Sequence, residues 1–350
     1  MENDFYDKTR PELEQVMAER FEASAYRARQ LFEWVYKRGI TDVAQMTNIS
    51  AELRGRLGAH FVFPCAKIRE RNVSLDGTRK YLFEIDNGDL VESVMIKQPK
   101  RMTLCVSSQV GCGMGCGFCR TATMGLRRNL RTSEIIQQVR GVIDDAKNFG
   151  DMFDNVVFMG MGEPLHNFKA VVGALELLRD SCAFNLSGRK ITVSSVGLVP
   201  AIQKFGEAKV DVNLAVSLNA TTDEVRSKIM PVNKAYPIGV LLQCLRKFPL
   251  KPRRKITIEY VMLRGINDSD ADLRRLPKIL HGIACKVNLI PYNENAGLDF
   301  LSPTREVLDS WHNGLMRAGL DCTIRWSKGQ DINAACGQLA VARQQAVVAQ

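Results

Sequence analysis

Three cysteines stand in a run made largely of glycine, Gly111-Cys112-Gly113-Met114-Gly115-Cys116-Gly117-Phe118-Cys119-Arg120, at the spacing C-x3-C-x2-C. Thiolates are soft ligands suited to iron–sulfur clusters or zinc, and glycine lets a backbone fold closely around a bulky group. A structural zinc or an ordinary electron-transfer cluster takes four protein ligands. Three ligands without an evident fourth suggest a metal left open for something else. A half-built zinc loop and three unconnected cysteines are the plainer alternatives.

Further groups could serve such a centre. Gly160-Met161-Gly162-Glu163 combines flexible backbone with one carboxylate, which suits the α-amino group of a methionine moiety, although alone it reads as a turn. Cys105, shortly before the cysteine loop, and Cys336, near the carboxyl end, read by composition as small hydrophobes. Glu92 is a lone strand carboxylate, for which an exposed position is the ordinary expectation. His60, His166, His281 and His312 share no ligand spacing, and Cys65, Cys182, Cys244, Cys285 and Cys322 fall in no constellation. Arg127, Arg128 and Arg131 follow the cysteine loop, and Lys251 stands near Arg253, Arg254 and Lys255. Each run either meets a polyanion or is simply solvated.

The elements that must position these groups are legible in the pattern. Up to about residue 62 the chain reads as helical. Ala28, Leu31, Phe32 and Val35 fall at i, i+3, i+4 and i+7 behind Ser24, and a second pattern runs from Ser50 through Leu53 and Leu57 to Phe61. Residues 81–85 and 90–96 flank Asp86-Asn87-Gly88-Asp89, turn chemistry that predicts a β-hairpin with Glu92 on its second strand. From about Arg101, short strands alternate with helical stretches, which predicts a parallel sheet of about six repeats forming an open or partial barrel. Barrels of this kind place chemistry at the carboxyl ends of strands, where the cysteine loop, Gly162, Glu163, Ser194, Ser217 and Asn293 all fall. The expected class is α/β. Residues 1–75 form a helical accessory domain, 76–100 a hairpin extension, 101–326 a partial barrel, and 327–350 a carboxyl-terminal segment carrying Cys336 and ending in a polar, Gln-rich tail.

Composition sets the bounds. The 350 residues are 45% hydrophobic and 25% charged, enough for a large core. Lys and Arg number 48 against 38 Asp and Glu, and the resulting +10 points to an anionic partner, most commonly nucleic acid. If RNA binds, Arg127 and Arg128 are the first candidates for contact. The polar start Met1-Glu2-Asn3-Asp4, the lack of any run of transmembrane length and ten dispersed cysteines predict a cytoplasmic protein without a disulfide scaffold.

Several of these segments, taken together, resemble one family. They are 105–112, the triad Cys112/Cys116/Cys119, Asn129-Leu130 with Ser133-Glu134-Ile135, and Gly160-Met161-Gly162-Glu163-Pro164-Leu165, followed by Ser217-Leu218-Asn219-Ala220 and Ala334-Ala335-Cys336-Gly337-Gln338-Leu339. The chain is similar in them to the RlmN/Cfr family of radical S-adenosylmethionine methyl synthases, over a span from the helical module to about Leu339. The resemblance implies a partial (β/α)6 radical-SAM barrel and methylation of an adenine in the peptidyl-transferase centre of 23S ribosomal RNA. In one branch it also implies modification of a tRNA adenosine beside the anticodon. One 4Fe–4S cluster per chain would sit on Cys112, Cys116 and Cys119. Two molecules of S-adenosyl-L-methionine per turnover would be held by Gly162, Glu163, Ser194, Ser217, Leu218, Asn219 and Asn293. Cys336 would carry a methyl group, Cys105 would later pair with it, and Glu92 would accept a proton. The implied partners are 23S rRNA, tRNA and an electron donor such as flavodoxin with its reductase, with no membrane and a monomeric chain.

That chemistry accounts for two cysteines. Adenine C2 is electron-poor and has no lone pair to attack a methylsulfonium, so simple methyl transfer fails there. In the family's scheme Cys336 is methylated first, a radical takes hydrogen from that methyl group, and the carbon adds to the ring. Loss of a proton to Glu92 and attack of Cys105 on the Cys336 sulfur free the product and leave a disulfide. Pro164 resembles the C2 branch of the family more than the C8 branch. The family's usual Ser-Leu-His-Ala is Ser217-Leu218-Asn219-Ala220 here, so a backbone contact survives at 219 but a titrating one does not. Two rivals remain: a radical enzyme acting on a peptide or small molecule, and an RNA-binding protein with a structural metal loop.

Overall fold

Hydrophobic periodicity turns into helices at the amino end of the chain. In a computed structural model that describes residues 3–295 and 297–341, Arg10–Phe21, Ala25–Phe32 and Ala51–His60 are α-helices. The first two residues and most of the Gln-rich tail lie outside the described residues. Thr9 and Glu12 form a capping box on the first helix, and Ser50 Oγ accepts from Leu53 N at the start of the third. Phe5, Phe32, Tyr36, Phe61 and Phe63 pack as an aromatic cluster that is continuous with the core of the barrel, Tyr36 meeting Phe184 edge to face.

Four strands follow: β1 (Lys67–Val73), β2 (Arg79–Glu84), β3 (Leu90–Gln98) and β4 (Arg101–Cys105). The hairpin expected over 81–96 is β2 and β3, turned by Asn87 at φ 62°. The extension has a further strand, because β1, inside the span assigned to the helical module, pairs antiparallel with β2. The sheet continues from β4 through β7 (Asn155–Phe158), β8 (Ile191–Ser195), β9 (Asn213–Ser217), β10 (Ile256–Met262), β11 (Cys285–Pro291) and β12 (Cys322–Ile324). Every pair from β4 to β12 is parallel. The fold is thus a partial α/β barrel: six βα repeats closed by the short β12, with the antiparallel extension prolonging one edge. The order from β4 to β12 follows the chain, as consecutive crossover helices require.

Helices such as Thr132–Ala146, Phe168–Arg179, Val199–Glu207 and Ile238–Lys247 bury one face against the sheet, and the strand interiors Val156, Val193, Val216, Ile258 and Leu289 are inaccessible. A second, two-stranded ribbon, β5 (Gln109–Gly111) and β6 (Leu126–Asn129), brackets the cysteine loop. Among the described residues no helix is long and apolar enough to cross a membrane.

Candidate active site

The cysteine loop leaves β4 and is clamped by the β5/β6 ribbon. Gly111, at φ +75°, must be glycine, since a Cβ there would lie 1.9 Å from the Gly125 carbonyl oxygen. Cys112 and Cys116 are buried and Cys119 is partly so, and all three are free thiols. Burial pushes the Cys112 thiol up to about 12 and raises Cys116 and Cys119 as well. Backbone groups of Met114, at Cys112, and of Ala122 and Thr121, at Cys119, act in the opposite direction and favour thiolate. Among the described residues no three His, Cys, Asp or Glu groups converge on a point that would hold a single metal ion. A cluster takes each thiolate on a different iron and does not require such convergence. Three thiols without disulfide partners among the described residues, in a glycine-rich cradle, fit a cluster better than a lone ion.

The Gly160–Glu163 turn is bolted to the same loop. Ser107 Oγ accepts from Met161 N at 2.8 Å and donates to Glu92 O at 2.6 Å, so it joins this turn to the extension. Gln109 Oε1 accepts from Glu163 N at 2.8 Å, and a Cβ on Gly162 (φ +101°) would stand 2.5 Å from Gln109 Cβ. Glu163, 2% exposed, accepts from Leu165 N at 3.0 Å and from Val196 N at 2.8 Å. Burial nevertheless pushes its carboxyl up to about 7. No cation is paired with it among the described residues, which leaves an ammonium group as the natural complement.

The other expected ligand-holding residues lie at strand ends, several with side chains engaged by protein. Ser194 Oγ donates to Phe158 O. Ser217 and Leu218 offer carbonyls to Arg226, a fully buried guanidinium that also reaches Val196 O at 2.7 Å and so ties the ends of β8 and β9 together. Asn219 sits at φ 57°, where asparagine is tolerated, with Oδ1 accepting from Val261 N and Nδ2 directed at Met230 Sδ. Its side chain has no free polar end. Asn293 Nδ2 donates to Cys336 O at 3.0 Å and Oδ1 accepts from Gln330 Nε2, so this residue carries the carboxyl-terminal strap.

That strap, 327–341, brings Cys336 to Cys105. Arg120 N bonds Gly337 O and Thr121 Oγ1 bonds Leu339 O on the cysteine-loop side, while Ser74 Oγ and Leu75 N bond Asp331 on the hairpin side. Cys105 and Cys336 both line a cavity of about 840 Å³ in the barrel lumen. Burial pushes the Cys105 thiol up to about 12, Cys336 adds to the rise, and Arg325 opposes it. Arg325, raised by Cys336 and then by Glu259, is the cation that serves both sulfurs, and Glu259 Oε2 lies 3.8 Å from its Nη1. Lys100, Arg101, Arg189, Lys190 and Lys286, all exposed, line the same cavity. Glu92, 4% exposed, borders a smaller cavity of about 200 Å³ with Lys80 and Ala340, one residue along the strap from Leu339, which lines the lumen, and on the sheet face that carries Cys105.

Two expectations need revision: Glu92 is buried against the strap rather than exposed as a lone strand carboxylate ordinarily is, and the arginines that follow the cysteine loop are paired. Arg127 and Arg128 are structural pins as much as free cations: both pair with buried Asp89, and Arg128 also grips buried Glu134. Arg131 likewise meets Asp4, Asp7 and Asp86. His166 has Nδ1 2.9 Å from Nε2 of Gln109, whose Oε1 accepts from Glu163 N. Arg226, Arg325 and Lys80 have no counterpart among the sequence expectations, because a lone cation carries no signature.

Comparison with known proteins finds relatives along most of the chain. A model described as the Radical SAM superfamily matches residues 106–276, and one described as the ribosomal RNA large subunit methyltransferase N-terminal domain matches 3–63. The chain is 50% identical over 314 residues to a dual-specificity RNA methyltransferase RlmN of Geobacter sulfurreducens, covering 90% of this chain and 86% of that one. It is 47% identical over 336 residues to the protein of the same description from Pelobacter propionicus, covering 96% and 95%. The crystal structure of a radical SAM methyltransferase from Sphaerobacter thermophilus superposes with TM-score 0.89 at 40% identity, covering 96% of this chain and 98% of that chain.

Proposed function

The chain belongs to the RlmN family of radical S-adenosylmethionine RNA methyltransferases, and from that premise we propose that it methylates C2 of adenine in 23S rRNA and in tRNA beside the anticodon, through a methylated Cys336 and a covalent protein–RNA intermediate. The observation that carries the proposal is the meeting of two cysteines from opposite parts of the chain, Cys105 and Cys336, on one lumen with Arg325 beside them. A binding module would have no use for this pair.

Cys112, Cys116 and Cys119 would hold a 4Fe–4S cluster, and Glu163 with the Gly162 backbone would take the amino group of S-adenosyl-L-methionine. Bound there, the two would supply a methyl group and a reductively generated carbon radical, at a cost of two molecules of S-adenosylmethionine per product and an electron from a flavodoxin-class donor. The chain's own residues do the rest. Cys336 carries the methyl carbon, and Asn293 holds its backbone carbonyl. Glu92 would accept the C2 proton while the unpaired electron left by radical addition passes back to the flavodoxin-class donor, so that a closed-shell thioether joins Cys336 to the base. Cys105 then attacks the Cys336 sulfur, the carbon–sulfur bond breaks with its electrons passing to carbon, and that carbon takes a proton to become the product methyl group. Arg325 stabilises whichever sulfur is thiolate at each stage.

A cavity of about 840 Å³ has room for an extruded nucleotide, and the basic residues that line it suit the flanking phosphates. Pro164 favours C2. The test is nucleoside mass spectrometry of rRNA and tRNA fragments after incubation with reconstituted protein, S-adenosylmethionine and reductant. The expected product is 2-methyladenosine, and 8-methyladenosine or unmodified RNA would overturn the assignment.

A further inference from the structure

Glu92 keeps close company that its proposed role does not by itself require. On β2 and β3, Lys80 pairs with Val94 and Leu82 with Glu92, so Lys80 and Glu92 share one face of the extension. Val94 in turn pairs with Cys105, which makes this the face that carries the buried thiol. Lys80 Nζ lies 3.1 Å from Glu92 Oε1, and the two side chains are only 14% and 6% exposed. The same Nζ donates to Asn333 O at 3.4 Å, while the Ala340 backbone stabilises the charged Glu92 carboxylate. Residues 333–340 form the loop that carries Cys336, and both of its ends rest on one ion pair. Glu92 Oε2 is buried without a hydrogen-bond partner among the described residues, and the cavity beside it is lined by Glu70, Asn72 and Lys80.

Opposing effects meet at Glu92. Burial pushes its carboxyl above the ordinary range. Lys80, by charge and by hydrogen bond, pulls it down, as does the Ala340 backbone, and Glu70 raises it. The charged groups that face it are therefore Lys80 on β2 and Glu70 on β1, with the strap contributing backbone only.

We propose that Lys80 is a positioning residue for proton removal: its ammonium keeps Glu92 ionised, leaves Oε2 free to take the proton from C2, and ties that base to the neck of the Cys336 loop. This rests on the reading of Glu92 as base and Cys336 as carrier given above. When the proton reaches Oε2, the carboxylate becomes neutral and Lys80 loses its charge partner. The ion pair under the loop weakens at the step before Cys105 must reach the Cys336 sulfur. The proton then passes to water through the adjoining cavity.

The experiment is a single-turnover measurement of adduct decay against pH, by rapid quench and denaturing gel, in the wild-type holoenzyme, Lys80→Met, Lys80→Arg and Glu70→Gln. Loss of the cation raises the Glu92 pKa further, so the acid limb of Lys80→Met moves to higher pH by about one unit or more. Decay below the limb slows about tenfold and recovers at alkaline pH. Lys80→Arg keeps the limb near its wild-type position. Glu70→Gln, at an exposed site that folding tolerates, moves it the opposite way. A uniform slowing of Lys80→Met with an unmoved limb overturns the proposal by reducing Lys80 to packing. Should Lys80→Met fail to fold, an unmoved or upward-shifted limb in Glu70→Gln overturns it instead. Cys105→Ala, run in parallel, separates the two levels. If adduct accumulates there while the limbs stay fixed, only the role of Lys80 falls. If no variant forms adduct, the methylated-cysteine reading falls and this proposal with it.

Discussion

Glu163 is a carboxylate buried among backbone amides with no cation beside it among the described residues, a state that costs energy. Its carboxyl is pushed from the ordinary 4.5 up to about 7. With the folded value raised, its contribution to stability is fully present below about pH 4.5 and is lost as pH rises through about 7, a change of ~3 kcal/mol. Glu163→Gln should therefore flatten that part of the melting profile of ligand-free protein between about pH 5 and 8, and calorimetry should find S-adenosylmethionine binding lost. A variant that kept the wild-type slope would place the pH dependence elsewhere. At the cysteine loop, alanine at Cys112, Cys116 or Cys119 should abolish iron binding, because a site with three thiolates has no spare ligand. Retention of the four-iron spectrum in any of the three would refute the ligand assignment.

The elements that hold these residues differ in how plainly the sequence announces them. Helices such as Ala25–Phe32 and Thr132–Ala146 and the barrel strands were legible because each buries a regular face, and the β2/β3 hairpin because Asp86-Asn87-Gly88 supplies turn chemistry. Strand β1 was not, since it is an edge strand exposed along almost its whole length and shows no alternation. The β5/β6 ribbon was too short and too rich in glycine and arginine to leave a pattern, yet it determines the shape of the cysteine loop. In the site, the three cysteines and Glu163 were legible from spacing. Lys80, Arg226 and Arg325 were not, because each acts across the sheet or between strand ends rather than along the chain. Two substitutions test the ribbon. Gly111→Ala puts a methyl group against the Gly125 carbonyl, so iron should be lost while the melting of the barrel changes by only a few degrees. Arg128→Met leaves Glu134, 0% exposed, without its arginine and Asp89 with Arg127 alone, and should destabilise the fold by about 3 kcal/mol in chemical denaturation. An unchanged midpoint would show that the pin is redundant.

At the scale of the whole molecule, the excess of +10 is not spread evenly in its use. Arg128, Arg131 and Arg254 are engaged with acidic partners, whereas Lys100, Arg189, Lys190 and Lys286 line the lumen exposed and without an ion pair among the described residues. RNA affinity should fall steeply with salt, and neutralising Arg189, Lys190 or Lys286 should lower the slope by about one for each phosphate that the side chain had neutralised. A slope untouched by all three would move the RNA path away from the lumen. The methylated-cysteine mechanism requires this lumen to join protein and RNA covalently. The decisive observation is the RNA-linked protein on a denaturing gel after incubation of Cys105→Ala, Cys336→Ala and the double variant with RNA, S-adenosylmethionine and reductant. Cys105→Ala should accumulate a band that survives denaturation and disappears on ribonuclease treatment, while Cys336→Ala and the double variant should form neither adduct nor methylated adenine. Normal turnover by Cys105→Ala, or methylated RNA from Cys336→Ala, would contradict the methylated-cysteine mechanism.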